Sequence, residues 1–139
     1  MIVKESAIVE ITGWISEARD TLGIKTVRRT PSSPASSDDF TAVFIHEGDD
    51  TIIKYSSTRT GYPVTRKGEV AFEMWTKKGV DVRALYRALR TLLFTKHLSV
   101  PVDIREIKTF GPFNGGVPHT RTMQLIVGLT YKDVGPGVS

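Results

Sequence analysis

The stretch 69–97, Glu-Val-Ala-Phe-Glu-Met-Trp-Thr-Lys-Lys-Gly-Val-Asp-Val-Arg-Ala-Leu-Tyr-Arg-Ala-Leu-Arg-Thr-Leu-Leu-Phe-Thr-Lys-His, decides the fold class. Its periodicity changes halfway. Over 69–77, Val70, Phe72 and Met74 alternate with Ala71, Glu73 and Trp75, the two-residue period of a strand. Both faces are partly apolar, so one is expected under a helix and the other against a neighbour. Asp81 then has the chemistry of an N-cap for a helix over 82–97. Val82, Leu85, Tyr86, Leu89, Leu92 and Leu93 form its apolar stripe. Arg83, Arg87 and Arg90 form a basic stripe about 120° away by helical geometry. Phe94 falls on that basic side, where a single-domain core has no place for it.

Upstream, 4–22 reads as a second amphipathic helix, with Ile8, Ile11, Ile15, Ala18 and Leu22 on one stripe and Glu5, Glu10, Glu17 and Asp20 off it. Gly23 suits a left-handed C-cap. A short strand is expected over 24–29, then a polar loop over 30–39 with two prolines and four serines. Segments 40–47 and 51–57 read as a hairpin about the turn Gly48-Asp49-Asp50. Residues 58–68 form a second excursion, broken by Gly61 and Pro63 and carrying Arg59, Arg66 and Lys67. Downstream, a strand over 104–110, a Gly/Pro-rich excursion over 111–119 and a long strand over 120–132 follow. In the long strand Met123, Leu125, Val127, Leu129 and Tyr131 share a face, and Gly128 marks a bulge or a close packing point. Residues 134–139 read as a flexible tail.

The order is α-β-β-β-β-α-β-β, or one strand fewer if the first is irregular. It predicts a single α+β domain over 1–139: a mainly antiparallel β-sheet, two amphipathic helices packed on one face, and long loops. A chain of 139 residues and 15.4 kDa has room for one full core. No run of 18 apolar residues exists, so no membrane span is expected. The acids within 1–10 argue against a signal peptide. Cysteine is absent, which excludes disulfides, thiolate catalysis and Cys-ligated zinc and fits a reducing cytoplasm.

The net charge of +4 is local: residues 77–108 hold eight Lys or Arg against three acids, and the remainder is nearly neutral. Such a segment suits nucleic-acid phosphates, an acidic protein partner, or simply a solvated helix face. Arg28, Arg29, Arg59, Arg66 and Lys67, near Tyr55 and Tyr62, would serve single strands by charge and stacking, or form an ordinary β-rim.

Searches for chemistry return little. The chain has no phosphate-binding glycine motif, no His-Glu-x-x-His and no nucleophile elbow. His46, His97 and His119 lie far apart in sequence. The acids near His46 read as a solvated turn, and His97 as a helix-end cation favoured by the dipole. Gly111 to Gly116 lies between strands rather than before a helix, so it reads as a hairpin turn and not a phosphate cradle. No catalytic residue, cofactor or metal is expected.

The whole-chain pattern resembles bacteriophage tail terminator proteins. The resemblance rests on the N-terminal amphipathic helix, the polar loop, the hairpin strands, Val70-Ala-Phe-Glu-Met-Trp75, the helix starting at Asp81, and the closing Met123-Gln-Leu-Ile-Val-Gly-Leu-Thr-Tyr131. It implies a virion protein, assembled in the host cytoplasm. It also implies a homohexameric ring stacked on the last ring of tail tube protein. On the other side that ring meets a neck or connector protein, and in contractile tails it touches the sheath. Nucleic acid meets such a ring only by passing through its lumen. Another head–tail connector shares this small build, and a cytoplasmic nucleic-acid-binding module is the alternative from a different class. In the ring, Arg83, Arg87 and Arg90 are expected to meet acids of the neighbouring subunit or of the tube, with Glu10, Glu17 and Asp20 as one candidate acidic face, and Phe94 beside the arginines is expected to be covered by a neighbour. Arg59, Arg66 and Lys67 belong to a loop expected to order on a partner.

Overall fold

A computed structural model describes residues 3–30, 40–55, 63–77, 79–114 and 120–134. Helix α1 spans Val3–Glu17 and buries Ala7, Ile8, Ile11, Trp14 and Ile15. The expected single helix over 4–22 is interrupted at Ala18, whose ψ of 1° lies far from helical values. A four-residue helix α2, Arg19–Leu22, follows. Gly23 ends it at φ 69°, and the amides of Gly23 and Ile24 close on the carbonyls of Asp20 and Arg19. The break turns Leu22 and Ile24 toward the sheet, where Ile24 is buried.

The sheet has five strands in the order β1-β2-β3-β5-β4. Strand β1, Thr26–Arg29, runs parallel to β2, so the sheet is mixed; the other three pairings are antiparallel.

Strand β2, Ala42–Tyr55, is continuous, which overturns the hairpin expected within it. Gly48-Asp49-Asp50 is a register shift against β3 rather than a turn. A Cβ at Gly48 would sit 3.2 Å from the carbonyl oxygen of Glu69. Lys4 of α1 holds the irregularity by donating to the Gly48 carbonyl (3.2 Å) and to the Asp50 carboxylate. The turn-forming residues are thus spent on a bulge.

Strand β3, Pro63–Lys77, starts well before the expected 69. Residues 63–68, expected in a loop, pair with β5, and 64–68 of them also pair with β2. Proline is tolerated there as the first strand residue. Residues 56–62 and 30–39 of the expected loops lie outside the described residues, apart from Thr30.

Helix α3, Val82–Thr95, has the expected N-cap: the Asp81 carboxylate accepts from the Arg83 amide at 2.9 Å. It stops two residues short of His97. Strand β4, Val102–Asn114, runs through Gly111 to Asn114, which were expected in a loop. Gly111 at φ 97° absorbs the register shift between Phe110 and Phe113. Residues 115–119 are outside the described set. Strand β5, Thr120–Val134, takes in Val134, expected in the tail; 135–139 are not described.

One face of the sheet, with Val43, Ile45, Phe72, Met74, Leu125, Val127 and Leu129, forms a single core with the stripes of α1 and α3. The other face carries a smaller cluster of Phe40, Ala42, Phe44 and Trp75, in which Phe40 and Trp75 stack at 5.7 Å. Gly128 is the close packing point: a Cβ there would meet Lys67 Cε at 2.9 Å and Ile107 Cδ1 at 3.1 Å.

Candidate interaction surface

Strand β4 is an edge of the sheet, and α3 lies above it. The two are tied by Glu106. Its carboxylate accepts from Arg90 Nε (2.8 Å), the Tyr86 hydroxyl (3.0 Å) and the Thr109 hydroxyl (3.0 Å). The Arg90 bond, helped by the two hydroxyls and opposed by burial, holds the Glu106 carboxyl below its ordinary value. Arg90 also stacks over Phe94, 5.5 Å from the ring centroid. Arg90 is therefore a structural link within the subunit and not the free cation expected from the sequence. Arg87 reaches Asp81 only at 3.8 Å, with both side chains mostly exposed. Arg83 is exposed on the same stripe.

Four large apolar side chains stand exposed on this flank: Phe94 on α3 and Ile107, Phe110 and Phe113 on β4, the last at 55%. The three β4 residues lie on the sheet face opposite the helices. Ile107 packs toward Gly128, and Phe110 and Phe113 pair with Gln124 and Thr122, which alternate with the core residues of β5. Lys108 Nζ stands 5.3 Å from the Phe110 ring. Gly111 and Pro112 interrupt the outer edge of β4, as expected for an edge that must avoid strand-on-strand pairing.

The expected acidic face divides. Glu10 accepts from the Ser99 amide (3.0 Å) and hydroxyl (2.7 Å), so it fastens the segment after α3 to α1. Glu17 and Asp20 are exposed, at the end of α1 and in α2. Arg66 and Lys67 sit inside β3, half-buried, rather than on a loop. Arg66 adds its charge to the field at Asp50, and Lys67 packs beside Gly128. Arg59 and Tyr62 lie outside the described residues.

The rings expected to stack on nucleic acid, Tyr55 and Tyr62, are not among the described side chains; the exposed rings that are described are Phe94, Phe110 and Phe113. Phe44 is fully buried beneath Arg28, whose guanidinium lies 5.0 Å from the ring, and Phe40 and Trp75 are buried against each other.

Three features were missed in the sequence. The first is a groove of about 570 Å³ between α2 and α3, lined by Leu22, Lys25, Phe40, Lys77, Val80, Ala84, Leu85 and Ala88. The small pair Ala84 and Ala88, four apart on α3, was its only trace. The second is the cluster of Lys4, Asp50 and Tyr131, in which the Asp50 carboxylate is bonded by both partners. Burial raises the Asp50 carboxyl, but those bonds and the charges of Lys4 and Arg66 outweigh it and leave it lowered. The third is the fork from Arg29 to Glu5 (2.7 and 2.9 Å) and to Glu47. It ties β1 to α1 and lowers the Glu5 carboxyl.

Among the described residues, no group of three or more His, Asp or Glu side chains converges as a metal site. His46 Nε2 faces Glu73 at 3.5 Å, and His97 is exposed past the end of α3. Among the described residues no helix is long and apolar enough to cross a membrane. No family model and no curated protein sequence matches the chain.

Proposed function

We propose that this chain is a ring-forming structural subunit of a phage tail, of the tail terminator kind, that caps the tail tube and joins it to the neck. The observation that carries the reading is the α3/β4 flank. Ile107, Phe110 and Phe113 stand in solvent on the outer sheet face of β4, and Phe94, Arg83 and Arg87 stand in solvent on α3 over the other face. A monomer has little reason to keep such a concentration of exposed rings. Among the described residues no ion pair joins Glu17 or Asp20 to Arg83 or Arg87, and Arg87 faces only Asp81 at 3.8 Å. A head-to-tail contact, in which one patch meets a different patch on the next copy, satisfies both and closes into a ring. The partners of such a ring are further copies of itself, the tube protein, a neck or connector protein and, in a contractile tail, the sheath. Its place is the virion.

Native mass spectrometry and sedimentation test this. The expected species has a mass near six times 15.4 kDa. Phe110→Ser with Phe113→Ser, or Arg87→Glu alone, should shift it toward monomer by at least tenfold in concentration. A wild-type chain that stays monomeric at high concentration, with and without tube protein, would refute the proposal.

A further inference from the structure

We propose that the groove between α2 and α3 is a docking site for an acidic, apolar segment of a partner protein. An engineered cavity of about 150 Å³ accepts a benzene ring. At about 570 Å³ this groove has room for more than one large apolar side chain. Its floor is Leu22, Phe40 and Leu85, and Val80 at its mouth is 49% exposed. Ala84 and Ala88 form one wall, and their short side chains let a guest backbone approach α3. Lys25 and Lys77 complete the lining, both exposed and both without an ion pair among the described residues. Among the described residues of the lining two lysines stand against one acid, Asp81, which caps α3 and faces Arg87 at 3.8 Å. The uncompensated charge is therefore positive over an apolar trough, which fits alternating apolar and carboxylate side chains.

A second copy fits poorly. Two of the three exposed rings among the described residues carry cations beside them, Arg90 at Phe94 and Lys108 at Phe110, and would bring like charges to Lys25 and Lys77. A nucleic-acid backbone would engage the lysines and leave the apolar floor wet. The inference holds whether or not the chain forms a ring.

The test uses a fluorescein-labelled heptapeptide, Asp-Leu-Glu-Phe-Glu-Leu-Asp, against the same peptide with every acid replaced by Lys. Polarisation gives affinity and amide chemical shifts give the site. The acidic peptide should bind at least tenfold tighter than its basic counterpart and move the amides of Val80, Ala84 and Ala88. Lys25→Glu with Lys77→Glu should weaken it at least tenfold, and Ala88→Trp should block it. Ala84→Gln is the milder substitute if Ala88→Trp fails to fold. Equal binding of the two peptides, affinity within twofold after charge reversal, or shifts confined to β4 would overturn the proposal. Self-association that shields the groove amides would assign the groove to a second copy and overturn it equally.

Discussion

Lys4→Met isolates the electrostatics of the β2 bulge. Methionine keeps most of the aliphatic stem of Lys4, so packing changes little. The change removes a cation only 7% exposed, which holds the Gly48 carbonyl and the Asp50 carboxylate. Removing one partner of a fully buried pair costs about 3–5 kcal/mol, because the other charge is stranded. The Asp50 side chain retains 22% exposure, so water offsets part of that, and we expect about 2–4 kcal/mol at pH 7. For a chain of this size the loss lowers Tm by roughly 10 °C.

The pH dependence follows from the lowered Asp50 carboxyl, with burial opposed by the Lys4 and Tyr131 bonds. A carboxyl depressed by folding stabilises above its unfolded value, near 3.8, and loses that contribution as pH falls through its folded value. In the variant the Lys4 bond and charge no longer lower it, and only Tyr131 and Arg66 oppose burial. The gap between the two proteins should be widest at neutral pH and should narrow as pH falls below 3.8 and through the folded value. Urea unfolding followed by far-UV circular dichroism at pH 7 and pH 3, at one fixed protein concentration, measures it. A gap under about 0.5 kcal/mol at pH 7 would refute the reasoning, as would one unchanged at pH 3.

Gly68→Ala strikes the same cluster from the sheet, since its Cβ would lie 2.9 Å from Lys4 Nζ and press on Asp50. Thermal melts should show a loss of about 1–3 kcal/mol, and combining it with Lys4→Met should be less than additive. Asp81→Ala removes the cap of α3 and should cost about 1 kcal/mol in urea unfolding, whereas Asp81→Asn should cost much less.

Periodicity found the elements that face the core. The stripes of both helices, the Asp81 cap, the left-handed Gly23 and the inward face of β5 were all legible, because each depends on local pattern. Strand ends were not. Gly48-Asp49-Asp50 and Gly111-Pro112 carry turn chemistry, yet long-range pairing with β3 and β5 converts both into irregularities within strands. No local window contains Lys4, which secures the first of them. The parallel pairing of β1 was equally hidden, since its four residues pattern alike in either direction. On the surface, the helical stripe places Arg83, Arg87 and Phe94 outward, as the structure has them. The partners of Arg90 and Glu10, Glu106 and Ser99, were not legible because they come from distant parts of the chain. Phe110 and Phe113 were missed because the residues between them read as a loop.

Strands β2, β3 and β5 continue together past the Lys4 clamp. From Gly68 back to Val64 the pairing with both neighbours persists for five residues, about 16 Å at strand rise. Strand β4 starts opposite Tyr131, the partner of Arg66, and β1 ends opposite Ile45, so from Thr65 back to Pro63 no edge strand among the described residues flanks the other three. What projects is a three-ply beam, anchored at its root by one ammonium group and one phenol. A load applied at its free end would be transmitted as bending to that anchorage and onward into α1, which gives the molecule a built-in lever arm with its fulcrum at Asp50.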